Sequence, residues 1–144
     1  MHATDQDGRS RFGELVKLQM QGRRFLDKAE ERRLLEEGLT RYGLRLEEAT
    51  GLLRGAAEQG EIALEGEIGR SAGLLLKTLA DRRNRVARAD FAKAVAFYRA
   101  RAGAGLTEAE AARRVKRQME ELALEPKPSG GLIRTRRWYR SIGA

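Results

Sequence analysis

Residues 107–122 read TEAEAARRVKRQMEEL. Thr107 and Glu110 open the stretch three residues apart, a capping box in which each side chain satisfies an orphan backbone N–H of a starting helix. Beyond it Ala112, Val115, Met119 and Leu122 recur at helical spacing and form one apolar stripe, with charges on the remaining positions. A segment so patterned is a helix, and the rest of the chain follows the same design.

Working back toward the N-terminus, Ser10 caps a first helix with Phe12, Leu15, Val16 and Met20 on one face, closed by Gly22. Asp27 and Glu30 form a second capping box, followed by Leu34, Leu35, Leu39 and Tyr42, a stop at Gly43 and the hydrophobic Leu44. A third helix over 47–58 turns Ala49, Leu52, Leu53 and Ala56 inward and breaks at Gly60. Ile62, Leu64 and Ile68 fit either a helix start or a short extended piece. A fourth helix carries Leu74, Leu75, Leu76 and Leu79. A fifth begins near Asp90, with Phe91, Ala94, Val95 and Tyr98 on one side, a row of small residues (Ala92, Ala96, Ala100) on another, and AGAG (102–105) at its end. Pro126–Gly131 is a hinge, because Pro and Gly both defeat helix continuation.

The expectation is an all-α fold. Residues 1–9 are predicted disordered, 10–125 a compact bundle of five or six amphipathic helices, and 126–144 a hinge with a flexible basic-aromatic tail. No residue pattern of fixed period points to an internal repeat. Composition agrees: Ala, Leu, Arg and Glu favour helices, and 35% charged residues against 41% hydrophobic ones suits thin amphipathic helices rather than a thick core. The longest apolar run, Ala94–Tyr98, is far below the ~20 residues of a membrane span. The N-terminus has no basic region leading into an apolar stretch, so a cytoplasmic protein is expected.

The chain offers little to catalysis. The lone histidine, His2, lies in the N-terminal segment predicted disordered, and there is no cysteine for disulfide, thiolate or zinc chemistry. The acid clusters Glu36–Glu37, Glu47–Glu48 and Glu61/Glu65/Glu67 read as solvated faces. Gly66-Glu67-Ile68-Gly69 has the letters of a backbone-clamping GxxG loop but acidic neighbours, and no strands accompany it. A non-enzymatic protein without metal or cofactor is expected.

Charge carries the functional signal. Residues 1–80 hold 13 Lys/Arg and 14 Asp/Glu, whereas residues 81–144 hold 16 and 7, so the net charge of +8 arises in the second half. In the helix over 107–122, Glu110/Arg114, Lys116/Glu120 and Arg117/Glu121 stand four apart and are expected to balance locally. Two sites lack such balance. One is the polar connector with Arg82, Arg83, Arg85 and Arg88, which precedes a helix start where backbone N–H groups favour phosphate. The other is the acid-free tail, in which Arg134, Arg136, Arg137 and Arg140 alternate with Ile133, Trp138, Tyr139 and Ile142. Arginines there suit phosphates and the rings suit unpaired bases. Trp138 and Ile142, one turn apart, also suit an anchor folded back on the domain, or a groove on a partner protein.

In composition the chain resembles the small, basic α-helical subunits that pack along nucleoprotein assemblies, such as those of CRISPR effector complexes or phage terminases. The likeness carries no residue across. The expected function is non-enzymatic binding of a nucleic-acid backbone, RNA or single-stranded DNA rather than a specific duplex, within a larger complex that includes protein partners. The alternative is a protein adaptor whose tail docks on a partner. Association with a membrane surface ranks behind both.

Overall fold

A computed structural model describes residues 2–143, with side chains from residue 7 onward. The elements follow one another as α1 (His2–Met20), β1 (Phe25–Leu26), α2 (Lys28–Thr40), α3 (Leu46–Gly60), β2 (Ala63–Leu64), α4 (Glu65–Leu79), β3 (Arg85–Val86), α5 (Arg88–Ala102), a 3-10 turn (Gly103–Gly105), α6 (Glu108–Glu121), β4 (Glu125–Pro126) and the one-turn α7 (Arg137–Arg140). The all-α expectation holds, with the strands reduced to two-residue ladders. Among the described residues no helix is long and apolar enough to cross a membrane.

The chain divides into two compact units, residues 1–65 and 66–144, where the sequence predicts a single bundle over 10–125. α1 starts at His2 rather than at Ser10, so the backbone of residues 2–9, predicted disordered, is helical. Met1 and the side chain of His2 lie outside the described residues.

The first unit runs α1–β1–α2–α3–β2, and β1 pairs in parallel with β2 (Phe25 with Ala63, Leu26 with Leu64). Phe12, Val16 and Met20 of α1 bury one face, against Leu34 of α2 and Ala49, Leu53 and Ala57 of α3. The capping box at α2 is formed as predicted: Glu30 N donates to Asp27 Oδ1 at 2.8 Å and Asp27 N to Glu30 Oε1 at 3.4 Å. The segment after Gly60 takes both of the conformations left open for it, a strand at Ala63–Leu64 and then a helix from Glu65.

The second unit repeats this order as α4–β3–α5–α6–β4, again with a parallel pair (Arg85 with Glu125, Val86 with Pro126). Its buried residues match those of the first unit position by position. Ile68, Ala72 and Leu76 correspond to Phe12, Val16 and Met20; Val86 to Leu26; Ala94 to Leu34; Ala111, Val115 and Met119 to Ala49, Leu53 and Ala57; Leu124 to Ile62. The backbone matches too, since Glu61 and Ala123 both end their helices in the left-handed region (φ 54 and 56). Ile62 N then reaches back to Ala57 O, and Leu124 N to Met119 O.

The fold is therefore a doubled α-β-α-α-β unit. No fixed period reveals it because α4 runs on past Leu76 and its connector is longer than the one after α1, and because α5 is two residues longer than α2. The interval between equivalent residues grows along the chain, from Phe12/Ile68 through Leu26/Val86 to Ala49/Ala111. The GxxG letters fall inside this frame on α4. A Cβ added at Gly69 would lie 2.8 Å from Gln118 Nε2, so that glycine serves close packing of α4 on α6.

Candidate nucleic-acid interface

All ten residues predicted to bind nucleic acid belong to the second unit. The connector between α4 and β3 folds around Asp81. Its Oδ1 accepts the backbone N–H groups of Arg83 (2.8 Å) and Arg85 (3.0 Å), and Asn84 closes the turn at φ 58. These bonds, led by the one from Arg85, hold the Asp81 carboxyl below its usual range. Short polar residues form such turns because the side chain replaces a backbone acceptor. Arg82 and Arg83 sit exposed in the turn. Arg85 does not join them as a free cation, since its Nε lies 3.2 Å from Asp81 Oδ2. It stabilises the turn.

The ladder joins this turn to the start of the tail. Glu125 N donates to Asn84 O, and Lys127 N to Val86 O. Lys127 Nζ lies 3.8 Å from Asp81 Oδ2, and Arg136 Nη2 3.9 Å from Glu125 Oε2. Ser129 and Thr135 bond to each other through both backbone pairs, so residues 130–134 form a closed loop that carries Arg134 and the fully exposed Leu132.

The tail predicted as a flexible extension is packed back on its own unit. Trp138 Nε1 donates to Lys127 O at 3.1 Å, and the indole meets Phe91 of α5 at 5.4 Å between centroids in an edge-on arrangement. Tyr139 is buried, with Lys116 Nζ 4.8 Å above its ring, and burial pushes its phenol up to about 12. Lys116 also donates to the carbonyls of Tyr139 and Ile142, which ends the one-turn helix. The anchor alternative thus describes both rings. Tyr139 cannot stack on a base, while Trp138 stays half-exposed with one edge fixed.

Glu110 Oε2 accepts Thr107 N at 2.9 Å in the capping box, and that bond holds its carboxyl below the usual range. Of the local charge pairs predicted for the helix over 107–122, the Arg114 charge acts on Glu110 and helps lower its carboxyl. Arg114 Nη1 reaches the Glu110 carbonyl, and Lys116 serves the tail. Among the described residues, Arg82, Arg83, Arg88, Arg134, Arg137 and Arg140 are exposed with no carboxylate within ion-pair distance.

The doubled architecture brings out one further difference. The first turn of α2 is held by two carboxylates, Asp27 as cap and Glu65, whose Oε2 accepts Lys28 N at 2.9 Å. At the start of α5 the equivalent positions are Ala87, which makes no side-chain cap bond, and Lys127. Asp90 remains in that first turn, 3.4 Å from Lys93 Nζ. A helix start carries partial positive charge, and here alanine and lysine stand where the first unit has two carboxylates.

Sequence reasoning missed Lys127 and Phe91 as parts of this surface. Lys127 stands apart from the arginine-aromatic run, and Phe91, read as core and buried as read, also meets Trp138. Among the described residues no group of three or more His, Asp or Glu side chains is disposed to hold a metal ion. No family model matches the chain, and no curated protein or solved structure matches it either.

Proposed function

We propose that the chain is a non-enzymatic, cytoplasmic nucleic-acid-binding subunit of a larger nucleoprotein complex, holding a phosphate backbone through its second unit without strong sequence specificity. The observation that carries this reading is the ladder β3–β4. Two acid-poor basic segments, distant in sequence, share one short parallel pair, so that Arg82, Arg83 and Arg88 belong to the same small substructure as Arg134, Arg137 and Arg140. Cations gathered on one surface repel each other, and a polyanion relieves that repulsion. The uncapped start of α5 adds backbone N–H groups that favour phosphate.

RNA or single-stranded DNA suits this surface better than a specific duplex. Among the described residues, no long basic helix face stands ready to enter a major groove with free side chains. The adaptor alternative would use the exposed part of Trp138, since its Nε1 and one ring edge are held by Lys127 and Phe91.

Salt dependence tests the proposal. Log affinity for a mixed single-stranded oligonucleotide falls linearly with log salt, and replacing Arg82 and Arg83 together with alanine lowers the slope by about 1.4, roughly 0.7 per lost phosphate contact. An absence of binding at low salt, or a slope unchanged in the double variant, would overturn it. A pull-down in which nuclease treatment leaves a bound protein in place, and Trp138→Ala releases it, would favour the adaptor.

A further inference from the structure

α5, α6 and the tail line a half-open cavity of about 290 Å³ that the backbone-binding reading leaves unused. Arg88 and Arg99 flank it at the two ends of α5, Ala92 and Ala96 lie between them, Glu108 faces them from α6, and Trp138 forms a wall. The volume sits at the lower edge of small-molecule pockets, ~300–1,000 Å³, which suits a single flat ring system rather than a chain of them.

Three features select the occupant. Arg88 has no carboxylate partner among the described residues, so negative charge is favoured at its end of the cavity, while Arg99 at the other end is balanced by Glu108. Eleven residues of helix separate the two arginines, roughly 16 Å along the axis, which leaves a neutral span between them. That span is floored by two alanines and walled by an indole whose orientation is set by the Lys127 carbonyl and by Phe91. A pre-set aromatic wall favours a π-face without ordering cost at the moment of binding. Glu108, whose carboxylate lies 3.9 Å from Arg99 Nη1, has acceptor capacity for an exocyclic amino group.

We infer that this cavity takes one unpaired, amino-bearing nucleobase from the bound strand, with a flanking phosphate on Arg88. The inference rests on the nucleic-acid reading above and adds a base-dependent increment to it.

Trp138 is the only tryptophan, so its emission reports this cavity alone. The full chain is titrated at low salt with a short deoxycytidine oligomer and with an abasic oligomer of equal length and charge. The deoxycytidine strand quenches Trp138 and binds at least about fivefold more tightly, the low end of what one stacked base contributes. Ala96→Leu, at an exposed helical position that tolerates leucine, fills the floor and removes both the quenching and the preference. Equal affinities with unchanged emission would overturn the pocket while leaving backbone binding in place, and so would a preference that survives Ala96→Leu. Failure of both strands to bind would remove the nucleic-acid reading, and the pocket with it.

Discussion

Glycines show how residue-level reading depends on what surrounds a position. Gly38 lies inside α2, where glycine costs about 0.5–1 kcal/mol relative to alanine. A Cβ there would stand 3.1 Å from the Phe12 ring and 3.1 Å from Ala49 Cβ, so the helix accepts that cost to let a phenyl ring into the core. The second unit reverses the sizes, with Tyr98 at the Gly38 position and Ile68 at the Phe12 position. Gly55 of α3 is different, because an added Cβ meets nothing within 4 Å. Thermal unfolding separates the two cases. Gly38→Ala destabilises the protein by about 1–3 kcal/mol through overpacking, whereas Gly55→Ala stabilises it by about 0.5–1 kcal/mol. Both positions read alike in the sequence, as glycines within a helical pattern. The tail arginines, by contrast, are legible as cations, and only the folded chain distinguishes Arg136, 3.9 Å from Glu125, from Arg134.

At the scale of elements, local signals performed well wherever the bonds they imply are local. The two capping boxes at Asp27–Glu30 and Thr107–Glu110 form as read, because each joins groups three residues apart. The strand at Ala63–Leu64 was left open, since its hydrogen bonds go to residues far back along the chain. α7 went unread for the same reason, as a one-turn helix held by Lys116 and Phe91 rather than by its own propensity. The missing cap of α5 yields a prediction at this scale. Ala87→Asp restores the acceptor that Asp27 supplies in the first unit and raises stability by about 0.5–2 kcal/mol. The same carboxylate stands among the cations proposed to hold phosphate, so oligonucleotide affinity falls while the melting temperature rises. Calorimetry paired with a binding titration checks both, and a variant gaining stability without losing affinity would separate the α5 start from the binding surface.

For the whole molecule, the doubled architecture divides the charge more sharply than the halves of the sequence do. Residues 1–65 hold 11 Lys/Arg and 13 Asp/Glu, and residues 66–144 hold 18 and 8. Polyanion binding is therefore expected to slow amide exchange in the second unit, most of all around residues 81–88 and 125–140, while the first unit exchanges at its unbound rate. Exchange mass spectrometry with and without an oligonucleotide measures this, and equal protection of both units would argue against a one-unit interface. Helical class, the capping boxes, the apolar stripes and the location of excess cations were determined by the sequence alone. They depend on spacings of three or four residues and on composition, which the chain carries in any conformation. The repeat, the two ladders, the docking of Trp138 and Tyr139 and the capture of Arg85 by Asp81 were decided by tertiary structure. Three of these join residues distant in sequence, and the fourth depends on a turn held in place by the ladder.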